Sequence, residues 1–284
     1  MRQGRVRAAG LASVAVFVVA CGSSPGSRSP TAVEGRFDVG GHELWLSCDG
    51  SGSPTVVFDG GLGAGAASWS DVRPMVARST RACAYDRAGI GQSPPRSDRH
   101  PVSVGVMADE LVRLLDAAGI DGPVVLVGHS YGGMIVRLVA GRHPDRVAGL
   151  VLVDAASEHE LEGEWLAKDV DWVDGSTLID RRRSGVELAA VDDLGGMPLA
   201  VLTQGQTSGQ FAIEWSRFQA ELAGLSSNAI HVVARDSGHS IQHDAPDLVK
   251  AAIAAVLRSA REGAALPACA PVFEPLGGTC LPTH

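Results

Sequence analysis

A serine hydroxyl is a poor nucleophile until a base takes its proton, so the chemistry of this chain turns on which serine and which imidazole can meet. Gly128-His129-Ser130-Tyr131-Gly132 supplies the serine. It follows the continuous apolar run Pro123 to Val127 and opens a helical segment, Tyr131 to Arg142, closed by Pro144. Glycines on either side remove side chains that would clash in a sharp strand-to-helix turn. A helix beginning beside the serine turns its dipole and its first N–H groups toward developing negative charge. The base is His239, in Asp236-Ser237-Gly238-His239-Ser240, between the apolar run Ile230 to Ala234 and a closing helix over Asp247 to Arg261. The other histidines fit less well. His129 lies inside the serine motif, His231 within an apolar run, and His42, His100 and His284 near turns or the chain end. His239 and His243 are four apart, but no third ligand accompanies them on a helix, and no metal or other cofactor is expected.

The segments that would hold these side chains alternate. Glu43 to Cys48, Thr55 to Phe58, Arg81 to Tyr85, Pro123 to Val127, Val147 to Val153, Pro198 to Leu202 and Ile230 to Ala234 read as strands. Ser103 to Ala118 reads as a helix, with Met107, Leu111, Leu114 and Leu115 at three-to-four spacing. Strands alternating with helices mean βαβ units and a mostly parallel sheet. Residues 155–196 break the rhythm. That stretch is too long for a plain connection and is expected to form a small cap over the carboxyl edge of the sheet, where open α/β sheets bind ligands. Trp165, Trp172 and Trp215 are candidates equally for the pocket wall and for buried packing.

With its strand and helix, the serine motif resembles that of the α/β-hydrolase superfamily, and the resemblance runs over residues 36–262, four-fifths of the chain. It implies an α/β-hydrolase fold, a mostly parallel central sheet flanked by helices with a cap after the sixth strand. It also implies a triad in the order nucleophile, acid, histidine. The acid departs from the commoner pattern. After the seventh strand, where the family often has Gly-x-x-Asp, no carboxylate appears before Glu214. Some members place the acid after the sixth strand, where Asp154 stands; Asp154 is therefore the expected acid, with Glu214, Asp192 and Asp193 as alternatives. Acyl transfer needs N–H donors for an oxyanion. One is expected from Tyr131, the other from Asp59-Gly60-Gly61-Leu62-Gly63-Ala64-Gly65, which resembles the family's His-Gly-x segment with Asp59 in place of the histidine. Leu62 is the first choice there and Gly61 the second. Asp86-Arg87-Ala88-Gly89-Ile90-Gly91-Gln92-Ser93 is a further family signature, read as a structural turn shaping the pocket.

The implied activity is cleavage of a small-molecule ester-like substrate through an acyl-enzyme. Amide or small-peptide cleavage, as in iminopeptidase-like relatives, and cofactor-free perhydrolysis use the same triad. Haloalkane dehalogenases and epoxide hydrolases of this fold use a carboxylate nucleophile, so Ser130 counts against both. The rival class is a binding lipoprotein without catalysis, against which the intact nucleophile, base and oxyanion loop argue.

With 284 residues the chain suits one large domain, expected over 35–265, and is too short for two catalytic domains. A net charge of −8 excludes a nucleic-acid partner, which needs a basic face. Oligomeric state is not legible. Residues 1–20 read as a signal peptide, with Arg2, Arg5 and Arg7 before a small-to-apolar run. That run spans roughly 20 Å as a helix, short of a membrane core of about 30 Å. Val18-Val19-Ala20-Cys21 resembles a bacterial lipobox, which implies cleavage before Cys21, lipid on its sulfur and an exported, membrane-anchored protein; a plain secretory signal is the alternative. Residues 21–34 would then be a flexible tether. Cys48, Cys83, Cys269 and Cys280 remain, and four cysteines in an oxidising compartment allow three pairings. Cys269 and Cys280 lie in a Pro/Gly-rich tail, 266–284, that a short bridge would hold. The α/β-hydrolase resemblance makes the strands of Cys48 and Cys83 neighbours and so implies a bridge between those two. A Cys48–Cys269 link would overturn both assignments.

Overall fold

The computed structural model describes residues 1, 33–98, 100–162 and 171–283. Nearly all of the expected signal peptide and tether, Cys21 with its expected lipidation, and Trp165 lie outside those residues. The main sheet has nine strands: β1 Glu34–Asp38, β2 Glu43–Asp49, β3 Val56–Asp59, β4 Ala82–Asp86, β5 Val124–His129, β6 Val147–Val153, β7 Leu199–Gln204, β8 Ala229–Ala234 and β9 Gly278–Leu281. Their order across the sheet is β1-β2-β4-β3-β5-β6-β7-β8-β9. Every pair from β4 to β8 is parallel, and the outer pairs β1–β2, β2–β4 and β8–β9 are antiparallel.

The apolar run of β5 is continuous because both its faces are covered. Successive side chains alternate across the sheet. Val124 and Leu126 pack with Leu111, Leu114 and Ile135 on one side, and Val125 and Val127 with Ile253 and Val256 on the other. The helices Val104–Ala117 and Tyr131–Arg142 supply the first layer, and Pro246–Glu262 supplies the second. The α/β architecture with a mostly parallel, helix-flanked sheet is the one the sequence implies.

Between β6 and β7 the chain forms a helix Glu158–Glu162, a short hairpin pairing Val173–Asp174 with Thr177–Leu178, and a helix Arg181–Ala189. Three elements go beyond the sequence reading. β1 is an edge strand whose residues alternate between exposed and half-buried, with Phe37 its one large apolar side chain, so it carries little hydrophobic signal. The tail adds β9 to the sheet, its four residues too short to stand out. The helix Gly209–Ala223 buries Trp215, Phe218 and Leu222, a three-and-four spacing that was available to sequence analysis.

Among the described residues two disulfides are present, Cys48–Cys83 and Cys269–Cys280. Cys48 stands directly opposite Cys83 across the β2–β4 ladder, with Cα atoms 4.0 Å apart. The pair fits an exported protein. No described helix is long and apolar enough to cross a membrane.

Candidate active site

β5 ends at His129 and the helix Tyr131–Arg142 starts one residue later, so Ser130 alone makes the turn. It does so at φ 50° and ψ −121°. Space for this turn comes from missing side chains. A Cβ at Gly128 would stand 2.6 Å from Val136, one at Gly132 2.5 Å from the Gly60 carbonyl, and one at Gly133 2.4 Å from the Ala155 Cβ. The turn is pinned to the end of β6 and to the segment after it: the Ser130 N–H donates to Val153 (3.1 Å), and the Ser130 carbonyl accepts from Ala156 (3.0 Å).

Asp154 leaves the end of the adjacent strand β6 in the same left-handed region, at φ 44°. Its carboxylate is fully buried. Oδ2 lies 2.6 Å from Nδ1 of His239, while Oδ1 accepts from the Trp215 indole N–H and the Gln204 backbone N–H, both at 2.8 Å. The hydrogen bond to Asp154 holds the His239 pKa above the usual histidine value; burial works against this, and the charges of Asp154 and Glu160 add to it. The loop carrying His239 is tied by Asp244, which accepts from the Gly238 N–H (3.0 Å) and the Ser237 hydroxyl (3.2 Å). His129 lies beside that loop, its Nε2 2.9 Å from the His239 carbonyl and its Nδ1 3.3 Å from the Gln242 amide nitrogen. Burial first, and the neighbouring His239 second, push the His129 pKa down to about 4, so this ring stays neutral.

The other acid candidates stand elsewhere. Glu214 accepts from Gln210 on its own helix (2.6 Å), Asp193 accepts from the Gly195 N–H (2.7 Å), and Asp192 is exposed. His243 turns to Asp71 (2.7 Å).

Ser130 and His239 line one cavity of about 410 Å³ together with Glu160, Gln204, Phe211, Trp215 and Phe218. Trp215 thus belongs to the wall, whereas Trp172 packs edge-on against Tyr131, with ring centroids 6.4 Å apart. Tyr131 opens its helix, so its N–H has no carbonyl one turn back to bond.

The glycine loop meets the serine at Gly61, where a Cβ would stand 3.4 Å from the Ser130 Cβ; the N–H of Leu62 belongs to the peptide that follows. What fixes this loop is Arg87, in the segment read from sequence as a structural turn. Its guanidinium is buried and ion-paired to Asp59 and to Asp174 of the hairpin, the latter through Nε (2.6 Å) and Nη2 (2.8 Å). It also donates to the carbonyls of Gly60 (2.8 Å) and Gly61 (2.6 Å). Asp174 returns to the loop by accepting from the Gly63 N–H (2.8 Å), and Tyr85 donates to Asp59 (2.6 Å). Asp59, set in sequence at the family's histidine position, therefore serves as an anchor for Arg87. Sequence reasoning missed Asp174, Glu160 and Gln204 in this site. Only Glu160 carried a local signal, Ser157-x-x-Glu160, a capping-box pattern opening the helix Glu158–Glu162.

A family model described as the α/β-hydrolase fold matches residues 54–180. YqjL of Bacillus subtilis is 31% identical over 214 residues, covering 72% of this chain and 83% of that protein. The lipase LipV of Mycobacterium tuberculosis is 42% identical over 88 residues, 31% of each chain. A thermophilic esterase from Thermogutta terrifontis has the same fold at a TM-score of 0.60 and 21% identity, over 80% of this chain and 98% of that one. The chain belongs to the α/β-hydrolase family. Its fold is that of hydrolases, and several of the relatives it matches are named as hydrolases.

Proposed function

We propose that the chain is a serine hydrolase that cleaves an ester-type bond through an acyl-enzyme, with Ser130 as nucleophile, His239 as base and Asp154 as acid. The observation that carries this reading is the 2.6 Å hydrogen bond from His239 Nδ1 to buried Asp154, with His239 lining a cavity that Ser130 also lines. His239 takes the proton of Ser130 as the hydroxyl oxygen attacks the carbonyl carbon. The N–H groups of Tyr131 and Leu62 receive the oxyanion, with Gly61 the alternative in that loop. Asp154 keeps the Nδ1–H tautomer and stabilises the imidazolium, which then protonates the leaving alcohol. Water, activated by the same histidine, releases the acid and restores Ser130.

Domain limits of 35–265, with residues 155–196 as a cap, go with this reading. So does anchoring of the exported protein to the outer face of a bacterial membrane through lipid on Cys21. A fluorophosphonate probe tests the nucleophile: the enzyme labels on Ser130, and Ser130→Ala abolishes both labelling and turnover. Labelling elsewhere, or turnover surviving in Ser130→Ala, overturns the assignment. Parallel series of esters and peptide amides then rank the bond type.

A further inference from the structure

Glu160 stands inside the catalytic cavity without a role in the triad. One of its oxygens, Oε1, accepts the Ser157 N–H at 3.0 Å, the glutamate half of a capping box. Among the described residues no other group donates to this carboxyl. Among the described residues, the rest of the cavity wall apart from Ser130, Gln204 and His239 is aromatic: Phe211, Trp215 and Phe218. Phe211 and Trp215 stack with centroids 5.5 Å apart, and Trp215 meets His239 edge-on at 6.2 Å. Among the described residues no lysine or arginine lines the cavity, and none is hydrogen-bonded or ion-paired to the Glu160 carboxyl.

A carboxyl that shares a mostly apolar chamber with the reacting serine is poorly solvated as an anion and is best satisfied by a positive charge brought by the ligand. Aromatic walls tolerate such a charge, being negative on their faces, and exclude the water that would screen it. Building on the serine-hydrolase reading, we infer that the substrate is an ester bearing an ammonium group, on its acyl or its alcohol portion, and that Glu160 is the residue that recognises this cation. The protonation behaviour agrees. Burial pushes Glu160 up to about 7, with His239 pulling the other way and Asp154 adding to the rise, so near neutrality the empty site holds a carboxyl that a bound cation would ionise fully.

Two substrate pairs test this. Choline butyrate and neohexyl butyrate differ only in nitrogen against carbon on the alcohol side. The ethyl ester of γ-trimethylammoniobutyrate and its all-carbon isostere differ in the same way on the acyl side. For each pair the readout is the cationic-to-neutral ratio of kcat/KM, in the parent enzyme and in Glu160→Gln, which keeps an acceptor for the capping box and removes the charge. The ratio for one pair is expected to fall by about tenfold or more in Glu160→Gln, the size of one partly desolvated charge pair, and the pair that responds tells which side carries the cation. Glu160→Asp, which keeps the charge, should retain most of the preference. Ratios that move by less than about twofold in both pairs overturn the inference. Fluorophosphonate labelling separates the two levels: a labelled Ser130 with unmoved ratios removes cation recognition alone, whereas an unlabelled parent enzyme removes the serine-hydrolase reading and this inference with it.

Discussion

Ser130 and Asp154 are the two non-glycine residues of the described chain with left-handed backbone, and they stand at the ends of neighbouring strands β5 and β6. Such a conformation costs on the order of 1–3 kcal/mol per residue and persists only where the surroundings enforce it. Here the enforcement is the pair of hydrogen bonds from the Ser130 peptide to Val153 and Ala156. Asp154 shows how closely one side chain can be specified. Its Oδ1 is taken by Trp215 and Gln204, which leaves Oδ2 for His239. In Asp154→Asn the amide oxygen would keep the two donors and the NH₂ would face Nδ1, forcing the tautomer that cannot accept the serine proton. A fall in kcat of about 10⁴ is expected, with the far-ultraviolet circular dichroism unchanged; near-normal turnover would move the acid role elsewhere. With His239 as the proposed base, the pH dependence follows from that residue. Only its neutral form is a base, so kcat/KM rises with pH through its pKa, and that pKa is held above the usual histidine value chiefly by Asp154. The midpoint of the acid limb is therefore expected above pH ~6.5. Removing the charge of Glu160, a lesser contributor, should move it toward acid, and a pH–rate profile of the parent and Glu160→Gln checks both statements. The same shift acts on folding with the opposite sense. Stability gained from the raised pKa is present below the unfolded value and lost as pH rises through the folded one, so the species it favours is the protonated, inactive one.

The Arg87 network joins three parts of the chain that are remote in sequence: the loop after β3, the end of β4 and the hairpin between β6 and β7. Its guanidinium hydrogen-bonds both Asp59 and Asp174 and holds the carbonyls of Gly60 and Gly61, the backbone that meets Ser130. Lysine offers a point charge in place of a planar fork and cannot reach all of these acceptors. Arg87→Lys should lower stability by about 3–5 kcal/mol, as broken buried pairs do, and lower kcat by about tenfold or more by loosening the loop proposed to hold the oxyanion. Urea unfolding and kcat per labelled Ser130 separate the two effects. A less stable enzyme with unchanged kcat would reduce the network to a support of the fold. This network also marks where sequence reading stops. The positions of Ser130, His239 and Asp154 at loop ends were legible because each follows an apolar strand that announces itself, and the order of strands then fixes which loop ends meet. Arg87 was visible only as part of a turn, since nothing local says that it faces Asp174, 87 positions away. The helix Gly209–Ala223 was legible in principle from Trp215, Phe218 and Leu222 but exposes Phe211 and Ile213, which blur its apolar face. β1 and β9 are short edge strands, made by pairing with a neighbour and not by their own hydrophobic pattern.

The two disulfides restrain the chain in different places, and their loss should be separable. Cys48–Cys83 ties β2 to β4 across a separation of 35 residues and is buried, whereas Cys269–Cys280 closes a separation of 11 in the half-buried tail. Loop-closure entropy assigns about 4 kcal/mol to the first and about 3 kcal/mol to the second. The tail bridge also has a route to His239, the proposed base. β9 pairs along β8, with Gly278 opposite Ala234 and the Arg235 N–H donating to the Gly277 carbonyl (3.1 Å), and β8 leads directly into the loop of Asp236 to His239. Releasing β9 exposes the outer edge of β8 while its parallel pairing with β7 remains, so the loop should loosen without the domain unfolding. Two observations are then expected of Cys269→Ser/Cys280→Ser. The Tm falls by roughly 6–12 °C, the scale of about 3 kcal/mol in a domain of this size. Amide exchange quickens along Ala229 to His239 while β5 and β6 keep their protection. Mild reduction of the parent protein should reach the same state first, because the partly accessible bridge opens before the buried one, and thiol trapping would find Cys269 and Cys280 labelled ahead of Cys48 and Cys83. A tail variant that melts and exchanges like the parent would mean that β9 holds to β8 by its ladder alone.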